Sequence, residues 1–302
     1  MTQILPLLWL IGCAPEAFEF TDHTFTTEQD VLAPAFDDLL WPNHLLSSEA
    51  GLYWVERDAG QLHLSDSDGI LESWDLNIES PPLTLLHHSD DIIWQTADGI
   101  YAQDGGTIVE ESTGIVFNHT ENGESSLYWT IETNDSTQLI NDMGTEWTLD
   151  FAVDEAISVN DTLYLLDREA KTLYWFDTET SAVTVAFNFT DEPRKLYADS
   201  NTLYATTRSS RWPYGGWIVQ LNGSEASWTE TRLSDSPPEA EHLLVFDEHL
   251  YWSSKQSITR VDLDGGTYEM VASMTTVGSM VIHNNALWWS DSKGGRLFAL
   301  DL

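Results

Sequence analysis

The densest concentration of chemically versatile side chains runs from Arg208 to Gly216, Arg-Ser-Ser-Arg-Trp-Pro-Tyr-Gly-Gly. Guanidinium groups pair with carboxylates and phosphates through parallel hydrogen bonds, and aromatic rings stack on flat or cationic groups. Arg, Trp and Tyr also dominate binding hot spots. Arg194-Lys195 lies a short distance upstream. A site using Arg194, Arg208, Arg211, Trp212 and Tyr214 would hold an anion with its guanidinium groups and stack a ligand on its rings. The bland reading of the same residues is a long loop whose arginines neutralise nearby acid.

Other candidate chemistry is weaker. Acid/base catalysis needs two carboxylates placed together, and with 50 Asp and Glu residues such pairs arise by chance. His87-His88 is the only adjacent histidine pair, and nothing near it has the spacing of a three- or four-ligand metal site. Asp66-Ser67-Asp68-Gly69 and Asp262-Leu263-Asp264-Gly265 resemble pieces of calcium loops, but both lack the closing Glu and read as turn chemistry. No nucleophile elbow, phosphate-binding loop or zinc-protease helix motif occurs in the chain. No catalytic residue, metal site or cofactor is expected.

Cys13 is the single cysteine, so no intrachain disulfide can form. It ends the apolar run Ile4-Leu5-Pro6-Leu7-Leu8-Trp9-Leu10-Ile11-Gly12, which is too short to span a bilayer as a helix. The run reads as the apolar part of a secretory signal. Leu10-Ile11-Gly12-Cys13 resembles the bacterial lipobox, although no Lys or Arg precedes the run. That resemblance implies a signal peptide over 1–12, lipid attachment at Cys13 and a short tether over 13–23. The chain would then be extracytoplasmic and touch a bacterial membrane through its lipid anchor alone. Ala14 after the cysteine is compatible with the outer membrane. The competing reading is a buried N-terminal strand with an inert cysteine.

Lys and Arg number 12 in 302 residues, giving a formal net charge of -38. Such a surface repels phosphate backbones, which excludes nucleic acid as a partner. The 14 Trp residues and abundant β-branched residues argue against disorder and for strands.

The elements that must position these residues repeat. Leu52-Tyr53-Trp54, Ile92-Ile93-Trp94, Leu127-Tyr128-Trp129, Leu163-Tyr164-Leu165, Leu203-Tyr204-Ala205, Leu250-Tyr251-Trp252 and Leu287-Trp288-Trp289 align, with central residues spaced by 40, 35, 36, 40, 47 and 37. A four-stranded propeller blade has a period of about 40–45 residues. Before each aromatic pair comes a short apolar run and a polar turn, as in Leu244-Val245-Phe246-Asp247. After it come a third strand, often a Gly turn, and a fourth strand. No stretch shows sustained helical periodicity.

The expected fold is all-β: a propeller of seven four-stranded blades occupying 24–302 as one domain. Six or eight blades are also compatible with the irregular second and fifth repeats. Only Arg296-Leu297-Phe298-Ala299-Leu300 follows the last aromatic pair, so blade 7 lacks its outer strand. A spare strand over Thr24–Leu32 would fill that place and close the ring. In such a ring the loop holding Arg208 and Arg211 and the junction holding Arg194-Lys195 share one face.

Leu250-Tyr251-Trp252-Ser253-Ser254 followed by Ile258-Thr259-Arg260-Val261-Asp262-Leu263-Asp264-Gly265 resembles a YWTD repeat of the low-density-lipoprotein-receptor type. Tyr128-Trp129-Thr130 and Trp288-Trp289-Ser290-Asp291 are weaker copies. The resemblance implies a propeller that binds partners and performs no chemistry. This chain departs from that family in its seven repeat starts, where the family has six, and in lacking disulfide-rich flanking modules. The expected function is therefore a monomeric, non-catalytic, envelope-anchored propeller that binds a protein or small ligand on one face. The alternatives are a propeller enzyme, a lyase or hydrolase with loop-borne residues, and a purely structural envelope component.

Overall fold

A computed structural model describes residues 32–302 except 67–68, 77–79, 90, 104–105, 111–113, 122, 134–135, 160, 200–201, 210–214, 225–226, 237–239, 255, 267 and 274–275. The described elements are all strands, in seven antiparallel sheets whose strands follow one another in chain order. Six sheets have four strands, over 42–75, 84–110, 116–149, 155–188, 192–236 and 242–273; the seventh has three, over 277–301. This is the seven-bladed propeller expected from the repeat. The first strand of each blade meets the first strands of its neighbours, so these strands line the central channel.

The second strand explains the repeat. Leu52–Glu56, Leu250–Tyr251–Trp252 and their counterparts are buried along their length, because both faces of each sheet are covered by the adjacent blades. The side chains alternate between those two neighbours. Tyr53 packs with Ile92 and Trp94 of blade 2, whereas Trp54 packs towards Val281 and Trp288 of blade 7. Tyr128 likewise faces blade 4 and Trp129 faces blade 2. The apolar core is accordingly divided into seven clusters, one at each interface between successive blades.

Closure falls between blades 7 and 1. Phe36 bridges Leu297 on the last strand, its carbonyl accepting the Leu297 N–H at 3.0 Å. The Phe36 ring lies 5.0 Å from Trp54 and 6.4 Å from Trp288. Ser292 Oγ donates to the Pro42 carbonyl at 2.8 Å, and Leu39 N–H donates to the Gly295 carbonyl at 2.9 Å. The chain before blade 1 thus takes the outer place on blade 7. Of the strand expected over Thr24–Leu32, only Leu32 is described, packed against the cluster between blades 6 and 7; residues 24–31 lie outside the described residues, as do Cys13 and the segments 1–12 and 13–23.

Five of the six fourth strands pair with a register shift, at Leu64/Ser65, Ile100/Tyr101, Leu173/Tyr174, Ile218/Val219 and Ile258/Thr259. Such bulges twist an outer edge away from further pairing. Tight turns between first and second strands place Asp247-Glu248 and Asn284-Asn285 at positive φ, the geometry that matches the strand twist.

Trp54, Trp94, Trp129, Trp252 and Trp289 occupy equivalent positions and are buried. Their indole N–H groups find no acceptor among the described residues. Leaving a donor unpaired in the interior costs about 1–3 kcal/mol, which ring burial must exceed. Trp252→Ala is therefore expected to lower stability by about 3–5 kcal/mol, as large-to-small core changes do. Trp252→Phe should cost clearly less, because it removes the unpaired donor while keeping a ring. Equilibrium urea unfolding reads both values, and equal losses would contradict this account.

Candidate functional site

Two faces close the ring. The upper face carries the loops between second and third strands and the connections between blades; the lower face carries the remaining turns. Basic residues segregate to the upper face. Arg57, Arg168, Lys171 and Lys293 lie in its loops, and Arg194, Lys195, Arg208 and Arg296 lie at the strand ends that reach it. Arg232 and Arg260 sit within outer strands. Among the described residues, the lower turns carry Glu49, Asp142, Asp161, Asp177, Glu179, Asp247, Glu248 and Asp264 and no Lys or Arg.

Five of the upper-face cations belong to blades 4 and 5. Arg194 and Lys195 fall at a register shift in the first strand of blade 5, Glu192–Asp199, where Pro193 pairs Thr207 and Lys195 pairs Thr206. A bulge of this kind re-aims side chains. Arg194 Nη1 binds Glu192 Oε1 at 2.7 Å. Arg168, from the blade 4 loop, reaches Asp154 Oδ1 at 3.5 Å and donates to the Arg194 carbonyl at 3.4 Å. Lys171 Nζ donates to the Thr190 carbonyl at 3.3 Å. Arg208 ends the second strand of blade 5, opposite Glu192 in register.

The loop after Arg208 closes with Ser209 N–H donating to the Gly215 carbonyl at 3.1 Å. Gly215 has φ +87°, and a side chain on Gly216 would collide with the Thr207 carbonyl. These two glycines return the loop to the sheet. Arg194 and Arg208 therefore sit on the same blade and face, as their spacing implied. Arg211, Trp212 and Tyr214 lie outside the described residues.

A second polar layer lines the channel. Leu46, Leu86, Phe117, Ile157, Tyr197, Leu244 and Val281 lie opposite the central residues of the repeat. Two positions earlier, nearer the upper face, stand His44, Thr84, Ile115, Glu155, Lys195, His242 and Ser279. Four of these bind the next blade's backbone. His44 Nε2 donates to the Pro82 carbonyl at 2.9 Å, and His242 Nε2 donates to the Gly278 carbonyl at 3.0 Å. Glu155 Oε2 accepts the Leu196 N–H at 3.1 Å, and Ser279 Oγ accepts the Leu45 N–H at 3.0 Å.

Lys195 Nζ stands 3.8 Å from Glu155 Oε1. Burial pushes the Glu155 carboxyl above the ordinary carboxylate range, against the pull of Lys195 and the Leu196 N–H. Burial, with the nearby Lys195 ammonium, lowers the His242 imidazole to about 4. Burial also lowers His44.

At the lower end, histidines bridge blades in a second pattern. His119 Nδ1 pairs with Ser158 Oγ at 2.9 Å, His283 Nδ1 with Ser47 Oγ at 3.0 Å, and His88 Nδ1 with Asn118 Oδ1 at 3.0 Å. His88, His119 and His283 thus hold neighbouring blades together. Among the described residues no group of three or more His, Cys, Asp or Glu converges in a metal-binding arrangement. Both Asp-x-Asp-Gly segments lie where third strands turn into fourth strands.

Repeat spacing alone does not mark Arg168, Lys171 or the channel residues His44, Glu155 and His242. A register alignment through the first strands places the channel residues at one level, and that signal was present in the sequence.

Comparison with known proteins adds the fold alone. No family model and no curated protein matches this chain. Among solved structures, a streptogramin B lyase has a TM-score of 0.65 at 12% identity, covering 87% of this chain and 94% of that one. The Pan2 WD40 domain of Neurospora crassa has 0.62 at 11%, covering 85% and 88%. A gluconolactonase from Xanthomonas campestris has 0.52 at 15%, covering 90% and 89%. The neighbours include enzymes and a WD40 domain, and all share the propeller.

The depressed His242 gives a pH signature. Its folded form resists protonation until about pH 4, whereas the unfolded chain takes the proton near pH 6.5. Its contribution is present above pH 6.5 and is lost as pH falls towards 4, at most about 3 kcal/mol. His242→Gln keeps an N–H for Gly278 but cannot titrate. The stability of this variant should fall less steeply than wild type between pH 6.5 and 4 in denaturant titrations. Parallel slopes would contradict the assignment.

Proposed function

We propose that this chain is a non-catalytic, envelope-anchored propeller lipoprotein that binds a protein or small ligand on its upper face. The observation that carries this reading is the gathering of Arg168, Lys171, Arg194, Lys195 and Arg208 on two adjacent blades of a chain with net charge -38. Three of them meet carboxylates of that face, Asp154, Glu192 and Glu155, whereas the acidic lower turns carry no Lys or Arg among the described residues. The Arg208–Gly216 loop adds Arg211, Trp212 and Tyr214 to the same blade in sequence. The YWTD-like repeats supply the framework, and the lipobox-like Leu10-Ile11-Gly12-Cys13 supplies the anchor.

A second reading, a propeller enzyme, draws on one observation: a half-buried carboxyl of raised proton affinity, Glu155, beside Lys195 at the channel mouth, with His242 on the far side of that lysine. Perturbed groups in a cleft are candidate catalysts. Against this, Glu155 and His242 are each engaged with the next blade's backbone, which makes them blade-to-blade ties. The streptogramin B lyase and gluconolactonase likenesses are too distant to favour chemistry here.

The test compares wild type with the double variant Arg208→Ala, Arg211→Ala, both anchored in native envelope. Ligands or partners retained by wild type should be lost from the double variant at unchanged folding; full retention would contradict the assigned face. Intact mass of the same mature protein should show a chain beginning at an acylated Cys13, and an unmodified Cys13 with Met1 retained would overturn the anchor.

A further inference from the structure

We infer that the upper mouth of the channel between blades 4 and 6 is an oxyanion seat, centred on Lys195 with Arg168 and Arg194 beside it, for a small ligand bearing a carboxylate or phosphate group. The inference rests on the binding reading above and gives that reading its ligand chemistry.

Lys195 belongs to the channel-lining strand of blade 5, with Glu155 of blade 4 on one side and His242 of blade 6 on the other. Its side chain is 45% exposed. Its contact with Glu155, at 3.8 Å, is a loose pair rather than a close charge-assisted hydrogen bond, whose length is about 2.7–2.9 Å. The other Glu155 oxygen accepts the Leu196 N–H at 3.1 Å. That carboxyl is therefore a structural tie which Lys195 borrows, and its burial favours the uncharged form. His242 is neutral through the physiological range, so on that side of the mouth Lys195 alone carries the positive charge.

The neighbouring cations are held in place by contacts that use only some of their N–H donors. Arg168 is oriented by Asp154 and the Arg194 carbonyl, and its Nε is buried with no hydrogen-bond partner among the described residues. Arg194 meets Glu192 through Nη1. Lys195 and Arg168 thus both act on the Glu155 carboxyl, and Arg194 adjoins Lys195 at the bulge. Three carboxylates, Asp154, Glu155 and Glu192, face these cations, and Glu155 is disposed to lose its charge. An arriving oxyanion would replace Glu155 as the partner of Lys195 and gain charge-assisted hydrogen bonds in a partly desolvated site. The strongly acidic remainder of the surface repels anions. Selection then follows from size: a small anion can enter the mouth, whereas a polyanion also meets the surrounding acid.

The test titrates inorganic phosphate and acetate at low ionic strength, by calorimetry, into wild type, Lys195→Met, Glu155→Gln and Lys293→Met. Gln keeps an acceptor for the Leu196 N–H, and Lys293 is an upper-face cation on blade 7. Near-ultraviolet circular dichroism of the tryptophans checks that each variant is folded. Saturable binding of either anion is expected, and which one binds separates a phosphoryl from a carboxylate ligand. Lys195→Met should weaken it about tenfold or more. Glu155→Gln should tighten it severalfold, and Lys293→Met should leave it within about twofold. Equal weakening by Lys195→Met and Lys293→Met would reduce the effect to the general field and overturn the seat. So would the absence of saturable binding to wild type. If neither anion binds while Arg208→Ala, Arg211→Ala still releases partners, the seat fails and the binding reading stands.

Discussion

The structure depends on packing between neighbouring blades across seven interfaces. No blade can bury its second strand alone, because Tyr and Trp side chains leave the sheet on opposite faces. Each sheet needs a neighbour on both sides, and an open row of sheets would leave two unsatisfied ends. The contacts of Phe36, Leu39 and Ser292 at the junction of blades 7 and 1 remove those ends. Burying one large apolar side chain is worth about 1.5–3 kcal/mol, so an open interface would forfeit several such contributions at once.

This constraint explains what was legible. A strand buried on both faces reads as an unbroken apolar run, and Leu250-Tyr251-Trp252 and its counterparts are such runs. Their spacing therefore pointed to seven blades, with six or eight left open by the irregular second and fifth repeats. The polar turn before each run was also readable, since Asp247-Glu248 and Asn284-Asn285 adopt the positive φ that short hairpins require. Closure was legible in direction, because one outer strand was missing at the C-terminus. The bridge itself is made at Phe36, just after the stretch singled out from the sequence.

The channel layer was harder to see. Its seven positions carry His, Thr, Ile, Glu, Lys, His and Ser, so only histidine recurs and no pattern marks the level. Their common role is to bind the next blade, and backbone N–H and carbonyl groups accept many partners. Glu155 and His242 do this work as acceptor and donor respectively, which leaves composition free to vary. Arg168 lies in the loop of a regular repeat, where no lengthened spacing marks it. The conspicuous insertion marks one edge of the cationic quadrant, and the regular blade beside it supplies the other.

Ring closure makes the seven interfaces interdependent, unlike an open repeat array in which neighbours add independently. Native-state hydrogen exchange of the second-strand amides tests this most directly. The account predicts one common opening free energy across all seven blades, equal to the global stability from denaturant unfolding. Graded values, with blades 1 and 7 opening well before blade 4, would contradict it.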